Sequence, residues 1–122
     1  MSLDCRAFPV PRRHVLINPK EKKLVYIQRM NGGYVGFIDR ITVTRGDDGL
    51  LGSQDTYVDF IIDGTLKERV KREISLNNPD IFNPPLLVKE EVIFYGYNGD
   101  TVKHFLEVVV DGQMCRPIER RR

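Results

Sequence analysis

Residues 23–44, KLVYIQRMNGGYVGFIDRITVT, decide the fold class. From Lys23 to Met30 the chain alternates: Leu24, Tyr26, Gln28 and Met30 fall on one side, Val25, Ile27 and Arg29 on the other. A two-residue period belongs to a strand with two distinct faces. Asn31-Gly32-Gly33 follows. Asn-Gly is a strong hairpin signal, because both central residues of the tight turn must tolerate positive φ. Tyr34 to Thr44 then resumes the alternation, with Val35, Phe37, Ile41 and Val43 sharing a face that Asp39 interrupts. The segment is dense in β-branched and aromatic residues, which favour strands. The stretch therefore predicts a β-hairpin.

Working outward, Asp55 to Asp63 predicts a strand with Val58, Phe60 and Ile62 on one face and Tyr57 and Ile61 on the other, ended by Asp63-Gly64. Residues 65–76, TLKERVKREISL, admit two readings. Thr65 and Glu68 make a capping box, and Leu66, Val70 and Ile74 recur every four residues, as in a helix spanning about 66–75. Val70, Ile74 and Leu76 also alternate with Lys71, Glu73 and Ser75, with Arg72 interrupting the apolar face; the β neighbours favour a strand from about Val70. Asn77 to Pro85 carries three prolines, which remove backbone donors and predict an irregular connection with Ile81 and Phe82 as buried plugs. A strand is expected over Leu86 to Tyr95, and Tyr97-Asn98-Gly99-Asp100 reads as a second hairpin turn. The return strand, Val102 to Val110, places Val102, His104, Leu106, Val108 and Val110 on one face and ends at Asp111-Gly112. Toward the N-terminus, His14 to Ile17 is a short apolar run followed by a turn at Asn18 to Lys22. Residues 1–13, with Pro9, Pro11 and Arg12-Arg13, read as an extended arm, residues 14–112 as the domain, and residues 113–122 as a basic tail. Seven or eight strands with turn signals every 8 to 15 residues predict an all-β chain: an antiparallel β-sandwich or jelly-roll-like barrel with at most one short helix.

The 122 residues are one domain's worth, and 41% hydrophobic with 30% charged residues suits a folded protein. No apolar run approaches the ~20 residues that span a bilayer, and the first residues lack the apolar core of a secretory signal. A net charge of +2 is too small to imply a polyanionic partner. Cys5 and Cys115 lie near opposite ends of the chain. A bridge between them closes a loop of about 110 residues, worth up to about 4–5 kcal/mol in chain entropy. Two free thiols in a reducing compartment is the alternative.

Catalytic and metal patterns are weak. Two cysteines and two histidines without close pairing do not form a zinc motif. His14 and His104 are the only candidate imidazole bases, no nucleophile elbow is present, and His104 sits on an apolar strand face. Glu90 and Glu91 are adjacent and so point to opposite faces, while Asp59 and Asp63 lie about 13 Å apart along a strand. Neither pair suits glycoside hydrolysis. Asp47 and Asp48 in one loop, with Asn98 and Asp100 in another, could supply oxygen ligands to a small molecule or hard cation if the loops cluster, though turn chemistry alone explains them. Tyr95 and Tyr97 beside that second loop could stack on a sugar. The tyrosines and basic ends also fit an OB-like nucleic-acid barrel, against which stand the interleaved Asp39, Asp59, Glu90 and Glu91. The reading is of a protein without a cofactor, and not of an enzyme.

VDFIIDGTL from Val58, the proline-rich FNPPLLVKEEV, and NGDTVKHFLEVVVDG through Asp111 together resemble the small β-sandwich and jelly-roll proteins that coat virus and bacteriophage particles. The resemblance covers less than half of the chain. It implies a structural or attachment role, and it carries over no functional residue. The expectation is a soluble, self-associating structural protein of a virion or other surface assembly. A carbohydrate- or peptide-binding sandwich is the alternative.

Overall fold

Each alternating strand has one apolar face to bury, and stacking two antiparallel sheets buries all of them at once. The computed structural model describes residues 2–8, 12–45, 56–70 and 80–118. Among them are nine strands and no helix: β1 (Leu3–Ala7), β2 (Arg12–Ile17), β3 (Lys22–Arg29), β4 (Val35–Arg45), β5 (Tyr57–Ile62), β6 (Thr65–Val70), β7 (Asp80–Val88), β8 (Glu91–Tyr97) and β9 (His104–Pro117). One sheet runs β1-β9-β4-β7, with β2 also on β9, and the other runs β3-β8-β5-β6. β1 and β2 occupy successive stretches of the same edge of β9, and β4 takes its other edge. The pairs β2–β9, β3–β8, β4–β7 and β5–β6 are nested. The chain is thus one antiparallel ribbon, doubled back at the β5–β6 turn and rolled so that its pairs alternate between sheets. This is the jelly-roll arrangement.

Rolling overturns both expected hairpins. Gly32 and Gly33 do take positive φ, at 67° and 81°. Yet β3 and β4 enter opposite sheets, as do β8 and β9 on either side of Tyr97-Asn98-Gly99-Asp100. A turn signal reports that the chain reverses. Which strand it then pairs with is decided by burial of whole faces. The expected single strand over residues 86–95 is likewise two, β7 and β8, broken at Lys89-Glu90 and placed in different sheets.

Other boundaries move for local reasons. Residues 65–70 form β6 against β5, so the helix expected over 66–75 is absent from its described part, and the strand starts before Val70; residues 71–79 lie outside the described set. β7 begins at Asp80 and includes both Pro84 and Pro85. It is an edge strand, and its register jumps from Leu86 to Ile81 while β4 advances only from Ile38 to Arg40. The prolines fall in that irregularity, where no ladder donor is required. Ile81 is not a buried plug but 70% exposed, whereas Phe82 packs on the core against Phe60. β9 continues through Asp111-Gly112 to Pro117, and residues 3–7 of the expected arm pair with it as β1.

The core lies between the sheets. Ile38, Ile41 and Val43 of β4 and Leu106, Val108 and Val110 of β9 face Val58, Phe60 and Ile62 of β5 and Val92 and Phe94 of β8. A bulge between Ile38 and Arg40 resets the phase of β4, which is why Asp39 interrupts the alternation. A second, between Leu24 and Tyr26, lets Val25 and Tyr26 both be buried. Tyr26, Phe94, Phe60 and Phe82 form a run of aromatic contacts at centroid spacings of 6.0, 5.1 and 6.0 Å. Burial pushes the Tyr26 phenol up to about 12, with the Arg13 charge acting in the opposite sense.

Gly112 sits where the sheet leaves no room for a side chain. A Cβ there would strike the Phe37 carbonyl oxygen and crowd the Ile38 Cα and the Phe8 ring. Since two of those obstacles are backbone, Gly112→Ala is expected to cost about 2–4 kcal/mol in urea denaturation.

Asp63 ties the β5–β6 turn to the β7–β8 turn. Its carboxylate accepts from the backbone N–H groups of Lys89 (2.9 Å), Glu90 (2.6 Å) and Glu91 (3.0 Å), and its own N–H donates to the Glu91 carbonyl. Partial burial acts to raise its pKa, but the three N–H donors and the Lys89 charge outweigh that and hold it below the ordinary value of 3.8. A lowered folded-state pKa stabilises the fold above the unfolded value, and this stabilisation fades as pH falls through the folded value. Asp63→Asn should therefore cost about 1–2 kcal/mol at neutral pH. In thermal melts the gap from wild type should narrow below about pH 4.

Candidate functional site

The sequence points to two surfaces, the loop after β8 and the tyrosines that lead into it. In the structure they differ in kind. Asn98 is fully buried at the sandwich end. Its amide nitrogen donates to the carbonyls of Ile17 (2.9 Å) and Val102 (2.8 Å), and its side-chain oxygen accepts from the Asp100 N–H (2.9 Å). Its backbone is also engaged, donating to the Glu21 carbonyl and accepting from the Lys20 N–H. The Gly99 N–H donates to Thr56 Oγ1 (3.0 Å), and Lys20 Nζ caps the Gly99 carbonyl (2.5 Å). Asp100 Oδ2 lies 2.7 Å from Nε2 of His104, which is buried. The loop thus spends its polar groups on closing the end of the sandwich, and Asn98 has no side-chain group left for a ligand. Asp47 and Asp48 lie outside the described residues. Among the described residues no three His, Cys, Asp or Glu side chains converge as a metal site.

Tyr95 and Tyr97 alternate with buried Phe94 and Gly96, which places them on the outer face of the β3-β8-β5-β6 sheet. Register aligns that face in rows. Lys22, Tyr97 and Tyr57 stand opposite one another, then Leu24, Tyr95 and Asp59, then Ile27, Ile93, Ile61 and Leu66 across all four strands. Tyr57 and Tyr97 stack at 5.1 Å. Lys22 Nζ donates to Asp59 Oδ2 at 2.9 Å and lies 5.5 Å from the Tyr57 centroid and 5.8 Å from that of Tyr95. Asp59 has a side chain only 5% exposed, so it needs that cation. The sequence signal for this pair is a carboxylate inside the apolar strand YVDFII; its partner, 37 positions away, is visible only in the fold.

No protein-family model matches this chain, and no curated protein matches it. Function must therefore be read from the surface itself. The Tyr57–Tyr95–Tyr97 cluster carries Lys22 across it, so its rings are engaged within the protein. The aliphatic row beside it is partly open: Ile27 is 36% and Leu66 51% exposed, Ile61 and Ile93 are half-buried, and Leu24 in the next row is 43% exposed. Tyr26 lies in the core, not on a stacking platform.

A second polar cluster sits where the strand ends meet. Asp4 accepts from the Tyr34 hydroxyl (2.9 Å), Arg116 Nε (3.3 Å) and Arg6 Nη2 (3.3 Å). The two guanidinium carbons lie 4.7 Å (Arg116) and 5.1 Å (Arg6) from the Tyr34 centroid. The Tyr34 hydrogen bond and the two arginines lower the Asp4 pKa, against a smaller desolvation. Cys5 and Cys115, directly opposed on β1 and β9, are joined by a disulfide that spans 110 residues.

Truncating Asn98 tests the reading of the loop as structural. Asn98→Ala strands the buried Ile17 carbonyl and removes partners of the Val102 carbonyl and the Asp100 N–H, so a loss of about 2–4 kcal/mol is expected in denaturant titration.

Proposed function

We propose that this domain is a non-enzymatic assembly protein. It joins other copies of itself through the outer face of the β3-β8-β5-β6 sheet, as a subunit of a surface structure such as a virus or phage particle. The observation that carries the reading is the row Ile27–Ile93–Ile61–Leu66, an aliphatic band across all four strands of the sheet in which Ile27 and Leu66 are exposed and Ile93 and Ile61 half-buried. Four strands at ~4.8 Å and one row of ~6.8 Å give the band about 130 Å², with exposed Leu24 in the next row. That is the apolar centre of a larger contact: each partner in a stable interface buries ~800 Å², so the flanking rows would have to join it. Lys22, Arg29 and Glu91 supply a polar rim.

Rolled two-sheet folds of this kind occur in viral capsid and lectin domains, which accords with the coat-protein resemblance, although fold alone does not carry function. The aliphatic character of the band favours a protein surface over a sugar. Lys22 over the tyrosine rings weighs the same way, because a stacking sugar needs a free ring face.

Light scattering across roughly 1 to 100 µM protein tests the proposal. The expected mass is a multiple of 14.1 kDa. Ile93→Lys should return the protein to monomer with an unchanged circular dichroism spectrum. A wild-type protein that stays monomeric to the top of that range, or an oligomer that Ile93→Lys leaves intact, overturns the proposal.

A further inference from the structure

Strand β1 itself buries no side chain in the core, although Phe8 directly after it is 2% exposed and would move with the strand. Leu3 is 58% exposed, Cys5, Arg6 and Ala7 are exposed, and Asp4 is half-buried. Its attachment consists of a five-residue antiparallel ladder to β9, the Cys5–Cys115 disulfide, and the contacts of Asp4 with Tyr34 and Arg116. These reach residues 30, 110 and 112 positions away. No contact of β1 with the body of the fold depends on β1 belonging to the same chain. Between β1 and β2 the sequence has Pro9 and Pro11, which carry no N–H and can donate nothing to the β9 edge.

We propose that β9 residues 113–117 form a docking edge for strand β1 of a second copy, and that the Cys5–Cys115 disulfide is the exchangeable latch that sets which copy supplies it. Exchange of an identical element between copies costs little, because the same contacts re-form. The two cysteines differ in exposure. Cys5 is exposed and lines an open cleft of about 880 Å³ beside Leu3, Arg116 and Ile118, whereas Cys115 is 4% exposed. The thiolate of a low-molecular-weight thiol attacks Cys5 Sγ; the Cys5–Cys115 bond breaks, and Cys115 leaves as a thiolate. Arg116 lines the same cleft as Cys5 and brings positive charge to it. β1 now carries the small thiol as a mixed disulfide and is tied to the body by non-covalent contacts: the ladder, the Asp4 and Arg6 contacts, and Phe8 beside it. When β1 docks on a second copy whose latch has opened, that copy's Cys115 thiolate attacks Cys5 Sγ and expels the small thiolate. One disulfide is broken and one formed, with no net oxidation. The face proposed above for assembly takes no part, so either reading can fail alone.

Two single-cysteine variants test this. Cys5→Ser retains Cys115, and Cys115→Ser retains Cys5. Mixed in a buffer of reduced and oxidised low-molecular-weight thiol, they should give a covalent heterodimer on a non-reducing gel, with peptide mapping placing the bond between Cys115 of the first and Cys5 of the second. Wild-type protein supplies a measurement that does not depend on the variants folding. Equal amounts of ¹⁴N- and ¹⁵N-labelled protein are incubated in the same buffer without denaturant, and the Cys5–Cys115 peptide pair is read by mass spectrometry. Mixed-isotope pairs are the expected result. Same-isotope pairs throughout overturn the proposal, as does a variant mixture that yields only Cys5–Cys5 and Cys115–Cys115 dimers.

Discussion

Strand β9 is the member on which the rest of this structure hangs. It is the longest strand at 14 residues, and it pairs with β1, β2 and β4. Its inward side chains, His104, Leu106, Val108, Val110 and Met114, run the length of the sandwich. For β4 to pair along it from Val35 to Arg45, the backbones must approach where Gly112 meets Phe37 and Ile38. The β4 bulge falls beside that contact, and it restores the inward phase of Ile41 and Val43. One missing side chain and one extra residue therefore keep two long apolar faces in step across a twisted pair of sheets.

Polar residues finish the ends of the roll. Asn98 joins the β8–β9 crossover to the end of β2, Asp63 gathers the turn between β7 and β8, and Asp100 meets buried His104. Asn98 and Asp63 bind segments that come from different sheets, which is where a rolled ribbon leaves backbone groups unpaired. In sequence these residues look like candidates for ligand or acid–base chemistry, since Asn, Asp and His serve both purposes. Here the same hydrogen-bonding capacity closes the fold.

With the ends occupied in this way, the flat faces and the strand edges are what the domain offers to other molecules. The aliphatic band on one face and the weakly buried β1 on the opposite sheet are different sorts of surface. One excludes water over an area; the other is a backbone ladder with a covalent tie. The proposed association of like with like rests on these two: the band spans every strand of its sheet, and β1 is matched residue for residue to β9.

The two-residue period of KLVYIQRM, VDFII and HFLEVVV determined by itself that the chain is all-β and that these segments are strands; it left open sandwich or barrel, and it did not show the strands over 3–7 and 80–88 or the break at Lys89-Glu90. Alternation is a local property, visible in any one sequence. Pairing was not visible there. The glycines after Met30 and after Tyr97 mark reversals of the chain, but reversal is compatible with a hairpin or with a crossing to the other sheet, and only the joint burial of all the faces selects the crossing. For the same reason the partner of Asp59, the inward hydrogen bonds of Asn98 and the row built from Ile27, Ile93, Ile61 and Leu66 had no signal in the sequence. Each unites residues from strands tens of positions apart, and register alone, a property of the assembled sheet, brings them face to face.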